Sequence, residues 1–275
     1  MTTRAWPKQS PDERRRVLET LAVSRHPHWL RRFAIMLTLS VVIAVMGLST
    51  DSAAVVIGAM LVAPLMTPVL GTAACLSMGW VMRAARTAVI VMLASIGSIA
   101  VAWLLASFVP DPILTGETLA RTSPGVTDLI VALSAGAAGA YATVRTDVSN
   151  SLPGVAVAVA LVPPLATVGI TLEQDRSDLA KGAALLYTTN LVAIVLAGIL
   201  VFLATGFVPR RRLAHAPRRV LLATVAAVVA IAAIAIPLTG DVSRRRRSPA
   251  ESVGDRDGRG LARRQPPRAD RGLGG

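Results

Sequence analysis

The residues of this sequence best placed to do chemistry inside an apolar chain are two sets of prolines with threonines beside them. Pro64, Thr67 and Pro68 lie in LVAPLMTP, and Pro163, Pro164 and Thr167 lie in LVPPLAT. A proline within a helix has no N–H to donate and clashes with the carbonyl four residues earlier, so each set frees backbone polar groups. In hydrocarbon those groups must be satisfied by protein or by water. Two such breaks meeting from opposite directions present exposed carbonyls and half-helix ends, which together can hold an ion or an anion. Gly58, shortly before the first break, borders the same region.

Other candidates are few. Asn190, beside Tyr187, Thr188 and Thr189, is the most polar point inside any apolar block. Its amide can coordinate a solute or an ion, or make an interhelical hydrogen bond worth about 1 kcal/mol. Asp51 and Asp128 are the acids nearest the apolar blocks. Each can admit a proton or cation at the outer face, or serve as a first-turn acid favoured by the helix dipole. His26, His28 and His215 fall outside the blocks, and the sequence has no HExxH, no GxSxG, no Walker A sequence and no Gly-rich dinucleotide fingerprint. These absences predict a protein that is not an enzyme, with no cofactor and no metal site. Only Asp51, Asp128 and Arg121 could be assembled into a lipid-modifying site at one interface. Cys75 is the single cysteine, so no intramolecular disulfide can form.

The elements that position these residues follow from composition. Of 275 residues, 53% are hydrophobic and only 4% aromatic. Ala, Val, Leu and Ile run in long blocks without the alternation of half-buried strands or the spacing of one-sided helices. Seven blocks of membrane-spanning size occur, at about 33–50, 52–79, 87–109, 126–144, 152–172, 182–206 and 220–238. The fold class is therefore all-α, a polytopic transmembrane helical bundle of about seven spans. Residues 33–238 form the transmembrane domain, preceded by a basic amphipathic segment at 1–32. The second block is too long for one straight crossing, as a broken or re-entrant segment would be.

The net charge of +13 lies almost wholly outside the blocks. Arg31, Arg32, Arg83, Arg86, Arg145 and the five arginines between 207 and 219 fall on one side if every block crosses once. By the positive-inside rule that side, and the amino terminus, is cytoplasmic, in the inner (plasma) membrane. Residues 239–275 hold ten arginines and almost nothing large and apolar, so the composition predicts a disordered tail. Without interleaved aromatics it is not expected to bind nucleic acid. The bilayer and a small solute or ion are the expected partners, with a homo-oligomer open.

Aligned with itself at an offset of one hundred residues, the chain pairs 49–72 with 149–172 and seven positions are identical: Ser49/Ser149, Val55/Val155, Leu61/Leu161, Val62/Val162, Pro64/Pro164, Leu65/Leu165 and Thr67/Thr167. Three crossings separate the copies, so they run in opposite directions. This predicts a 3+3 inverted repeat, with halves at about 33–109 and 126–206 and a terminal span at 220–238. Pro64 and Pro164 would then occupy equivalent places near the midplane.

SAAVVIGAMLVAPLMTPVLG (52–71), ARTSPGVTDLIVALSAGAAGAYA (120–142), SLPGVAVAVALVPPLATVGI (151–170) and TNLVAIVLAGILVF (189–202) resemble the prokaryotic hydrophobic membrane-protein family catalogued as domain of unknown function 389. The resemblance covers roughly residues 33–238 and implies a membrane location and fold without naming a substrate. With the broken helices, it leads to the expectation of a transporter- or channel-like permease for a small solute or ion. The alternative is a non-transporting membrane scaffold or sensor that docks a soluble partner through its basic segments. The arginine distribution makes the sidedness testable. A single cysteine placed in the 80–86 connection should resist an impermeant thiol reagent added outside intact cells. Strong labelling there would show that the second block turns back instead of crossing.

Overall fold

The computed structural model describes residues 27–109, 114–144 and 161–208, and among these every regular element is a helix. The first group is α1 (Pro27–Ser49), the pair α2 (Ala53–Val62) and α3 (Met66–Ser77), and α4 (Val81–Ala106). The short α5 (Gly116–Ala120) leads to α6 (Val126–Val144), α7 (Val162–Glu173) and α8 (Ser177–Ala204). Four helices, α1, α4, α6 and α8, are long and apolar enough to cross a membrane, and α2 with α3 makes a fifth candidate span bent by 56°. The all-helical, multi-pass character follows directly. Of the seven blocks, the terminal one at 220–238 lies outside the described residues, as do the segment through residue 26, the first part of the fifth block and the tail at 239–275.

The prolines start helices here instead of kinking them. Ser52 caps α2 by accepting from Val55 N at 3.5 Å, and α2 stops at Ala63, whose extended backbone (ψ 124°) is what a following proline imposes. Pro68 then falls in the first turn of α3, and Pro163 and Pro164 in the first turn of α7. First-turn N–H groups have no intrahelical acceptor, so proline costs nothing there. α3 and α7 also end alike. Gly79 and Asp175 take left-handed conformations (φ 72° and 56°), and the next residues reach back, Trp80 N to Cys75 O at 2.8 Å and Arg176 N to Thr171 O at 2.9 Å. Both turns satisfy carbonyls that the helix would otherwise leave unpaired.

These bounds set a register that differs from the sequence alignment. α7 begins and ends 96 residues after α3, and α8 begins 96 residues after α4. The identities aligned at one hundred. The difference of four residues is about one helical turn, a slip that keeps the same apolar face and is therefore invisible in an Ala/Val/Leu pattern. In the structural register Pro164 stands opposite Pro68. Pro64 stands opposite Ala160, outside the described residues.

Packing follows the same register. α3 and α7 each lie against both α4 and α8, α1 lies against α4 and α7, and α6 lies against α8 and α3. Gly169 of α7 meets α4 where a Cβ would come within 2.5 Å of Ala102 Cβ and 2.7 Å of Ile99 O. Gly198 of α8 meets α3 where a Cβ would come within 3.0 Å of Ala73 Cβ. Positions 169 and 198 follow 73 and 102 by 96, so one crossing occurs twice with glycine and alanine exchanged. Ala132, Gly136 and Ala140 are buried on α6, and a Cβ on Gly136 would meet Ile194 Cα at 2.7 Å. Small residues let these backbones approach, as in membrane bundles generally. Large apolar side chains turn outward instead: Met92, Leu93, Ile96 and Leu104 of α4 are all more than half exposed, which hydrocarbon does not penalise. Replacing Gly136 or Gly169 with valine should destabilise the folded protein by about 1–3 kcal/mol, whereas Gly97→Val, with nothing within 4 Å of its added Cβ, should not. Thermal melts of the purified variants in detergent measure the difference.

Candidate functional site

The candidate site is built from the starts of two half-helices and the long helices beside them. Neither α3 nor α7 has a side chain capping its N-terminus, so each presents backbone donors and the positive end of its dipole within the bundle. Pro64 sits in the break, Thr67 in the first turn of α3, and both are half-buried; Pro68 is buried. Gly58 is half-buried on α2, and an added Cβ there would have nothing within 4 Å. Pro163, Pro164 and Thr167 are all buried on α7. Asn190 is 5% exposed on α8, the helix that both half-helices touch, and α7 also touches α2. The two proline sets are thus linked through α8, which touches both α3 and α7, and through the contact of α2 with α7. None of them lines the cavity of about 250 Å³ that lies between α1 and α4.

Thr167 stands apart chemically. Hydroxyls along membrane helices normally donate to a carbonyl three or four residues earlier, and Ser95, Ser98, Thr171 and Thr205 do so at 2.7–2.8 Å. Thr167 is fully buried, and its Oγ1 has no hydrogen-bond partner among the described residues. A buried hydroxyl left in that state costs about 1–3 kcal/mol. It offers a donor and an acceptor to whatever enters, less than two turns from the start of α7.

The two acids have local work. Asp51 adopts a left-handed backbone (φ 53°) and accepts from Glu117 N at 2.8 Å, fastening the start of α5 to the α1–α2 corner. Thr115 strengthens the same joint by donating to Leu48 O at 2.6 Å. Asp128 accepts from Gly125 N at 2.9 Å at the start of α6. Arg121 pairs with Glu117 at 2.6 Å. Asp51, Asp128 and Arg121 therefore each hold a chain turn in place.

Several polar contacts escape sequence reasoning. Ser40 Oγ donates to Ala59 O at 2.7 Å across α1 and α2. Thr72 bonds Thr87 at 2.9 Å across α3 and α4, and Ser95 bonds Tyr187 across α4 and α8. Each pairs a small hydroxyl with a group 15 to 92 residues away, and no spacing rule predicts such partners. Tyr187 stands out in the sequence as part of the polar cluster around Asn190, while its pairing with Ser95 does not. Among the described residues, no group of three or more His, Cys, Asp or Glu is placed to hold a metal ion.

Known proteins bear on this arrangement in a limited way. An uncharacterized protein of Methanocaldococcus jannaschii is 29% identical over 177 residues, covering 64% of this chain and 55% of that protein. The chain thus spans about half the length of the curated relative it matches. No solved structure matches. The family described as a domain of unknown function, DUF389, matches residues 60–196, from the end of α2 through most of α8. With its proline-started short helices, the crossings at Gly136 and Gly169 and the Thr167 hydroxyl inside those limits, this segment of the chain is a DUF389 domain.

Proposed function

We propose that the chain is a non-enzymatic permease for a small solute or ion. It is built as a 3+3 inverted repeat (33–109 and 126–206) with a terminal span at 220–238, in the inner membrane with its amino terminus in the cytoplasm. The observation that carries the reading is the crossing that occurs twice, Gly169 on Ala102 and Ala73 against Gly198. Exchanging α1 with α6, α3 with α7 and α4 with α8 turns each of the contacts among these helices into another that is also present. Two halves related in that way, with the first broken between α2 and α3 and a proline-started short helix in each, match the architecture that secondary transporters use to hold a substrate near the midplane. Support for the sidedness comes from the arginines at 31, 32, 83 and 86.

The path runs past Gly58, Pro64, Thr67 and Pro68 on one side and Pro163, Pro164, Thr167 and Asn190 on the other. Thr167 supplies the hydrogen-bonding group, since its hydroxyl is buried and unsatisfied. The half-helix N-termini supply partial positive charge, and no acid or base from the described half-helices α3 and α7 lies among these residues except Glu173 at the far end of α7. Hydrogen bonding and backbone dipoles therefore do the selecting.

Purified protein in liposomes, offered radiolabelled sodium, rubidium, chloride and phosphate in turn, should take up at least one above protein-free vesicles. Thr167→Val should lower that uptake about ten-fold, a loss of about 1.4 kcal/mol, while leaving the melting temperature unchanged or higher because an unpaired hydroxyl has been removed. No uptake of any of the four, or unchanged uptake by Thr167→Val, counts against the permease path drawn here.

A further inference from the structure

The cavity between α1 and α4 is not part of that path, and its shape has a direction. Phe33, Leu37 and Val41 of α1 and Ala94 and Ser98 of α4 are buried and form its floor, while Leu30 and Leu93, 61% and 63% exposed, stand at its walls. Interiors leave few voids larger than one water, about 30 Å³, so a groove of about 250 Å³ is a space to be filled from outside. Gly97 lines it, and a Cβ there would meet nothing within 4 Å. The corresponding crossing in the second half is closed, because Gly136 brings α6 against the backbone of Ile194, the position 96 residues after Ser98.

Length and charge name the occupant. The lining runs from Leu30 to Val41 and from Ile90 to Val101, about 16 Å along each helix, which is one leaflet of a hydrocarbon core about 30 Å thick. Arg86 lies one turn before Ile90 on the same stripe of α4, and Arg31 lies three residues before Ala34 on α1. Both are exposed, and neither is in an ion pair among the described residues. Trp29, stacked on Phe33 at 5.0 Å, stands at the same end of the groove, where an amphipathic ring suits the headgroup level. Ser98 Oγ already donates to Ala94 O at 2.8 Å, so the floor asks for no polar partner.

We infer that this groove binds one anionic phospholipid of the cytoplasmic leaflet, with an acyl chain along Phe33, Leu37, Ala94 and Gly97 and the phosphate between Arg31 and Arg86. The inference rests on the single-crossing topology, which starts α1 and α4 on the same side, and not on transport. A protein partner fits less well: a helix would need the full length of α4, and the groove ends after one leaflet.

The test is native mass spectrometry of the full-length detergent-purified protein with dioleoyl phosphatidylglycerol or dioleoyl phosphatidylcholine. Wild type should retain phosphatidylglycerol in preference. The double variant R31Q/R86Q, both sites exposed, should bind it about 30-fold more weakly, and Gly97→Phe, which fills the groove, should lose the bound lipid with the arginines intact. Equal retention of the two lipids by wild type, or unchanged phosphatidylglycerol binding in either variant, overturns the proposal. So does a Gly97→Phe variant that changes oligomeric state while keeping its lipid, which would make the groove a contact between copies. Uptake by liposomes plays no part in these outcomes, so the lipid site and the permease path can fail separately.

Discussion

In hydrocarbon a backbone N–H or C=O has only the protein to bond to, and the local arrangements of this chain follow from that constraint. It explains why Pro68, Pro163 and Pro164 sit in first turns, where a missing N–H removes nothing. It explains why α3 and α7 close with left-handed residues that return N–H groups to the final carbonyls. Hydroxyls obey it too. Ser95, Ser98, Thr143, Thr171 and Thr205 fold their Oγ back onto their own helix, which makes the exception at Thr167 informative.

A second consequence concerns how the helices hold together. Apolar surface gains nothing by leaving lipid for protein, so helices must associate through close packing and hydrogen bonds. Gly136 against Ile194, Gly169 against Ala102 and Gly198 against Ala73 provide the close approach, and Thr72–Thr87 and Ser95–Tyr187 provide bridges between helices. The same logic accounts for the exposed leucines, isoleucines and methionines of α1 and α4, which in water would form an aggregation-prone patch. α4 and α8 are the common walls for both half-helices. The two short helices therefore touch the same pair of long helices from opposite ends of the described chain.

Where close packing is absent, the protein has kept room. The α1–α4 groove is open beside Ser98 and Gly97, whereas α6 is packed on α8 with Gly136 against Ile194, and the difference comes down to which residue stands at each crossing.

The sequence alone was enough to establish the helical class and several element limits, because a run of Ala, Val, Leu and Ile between charged ends has few other ways to satisfy its backbone in a membrane. The sixth helix begins at residue 126, where its predicted block begins, and the second block breaks at Pro64, where a proline disfavours a helical conformation for its predecessor. The proline sets were visible for the same reason: their effects are local. The offset of 96 between the helix bounds was not, since a slip of one turn preserves every apolar face and only those bounds distinguish 96 from 100. Nor could the sequence assign Asp51 to the start of α5, pair Ser95 with Tyr187, or single out Thr167 from a dozen similar hydroxyls. Those depend on which distant groups the fold brings within hydrogen-bonding distance, and in a chain so uniform in residue type only the tertiary structure decides that.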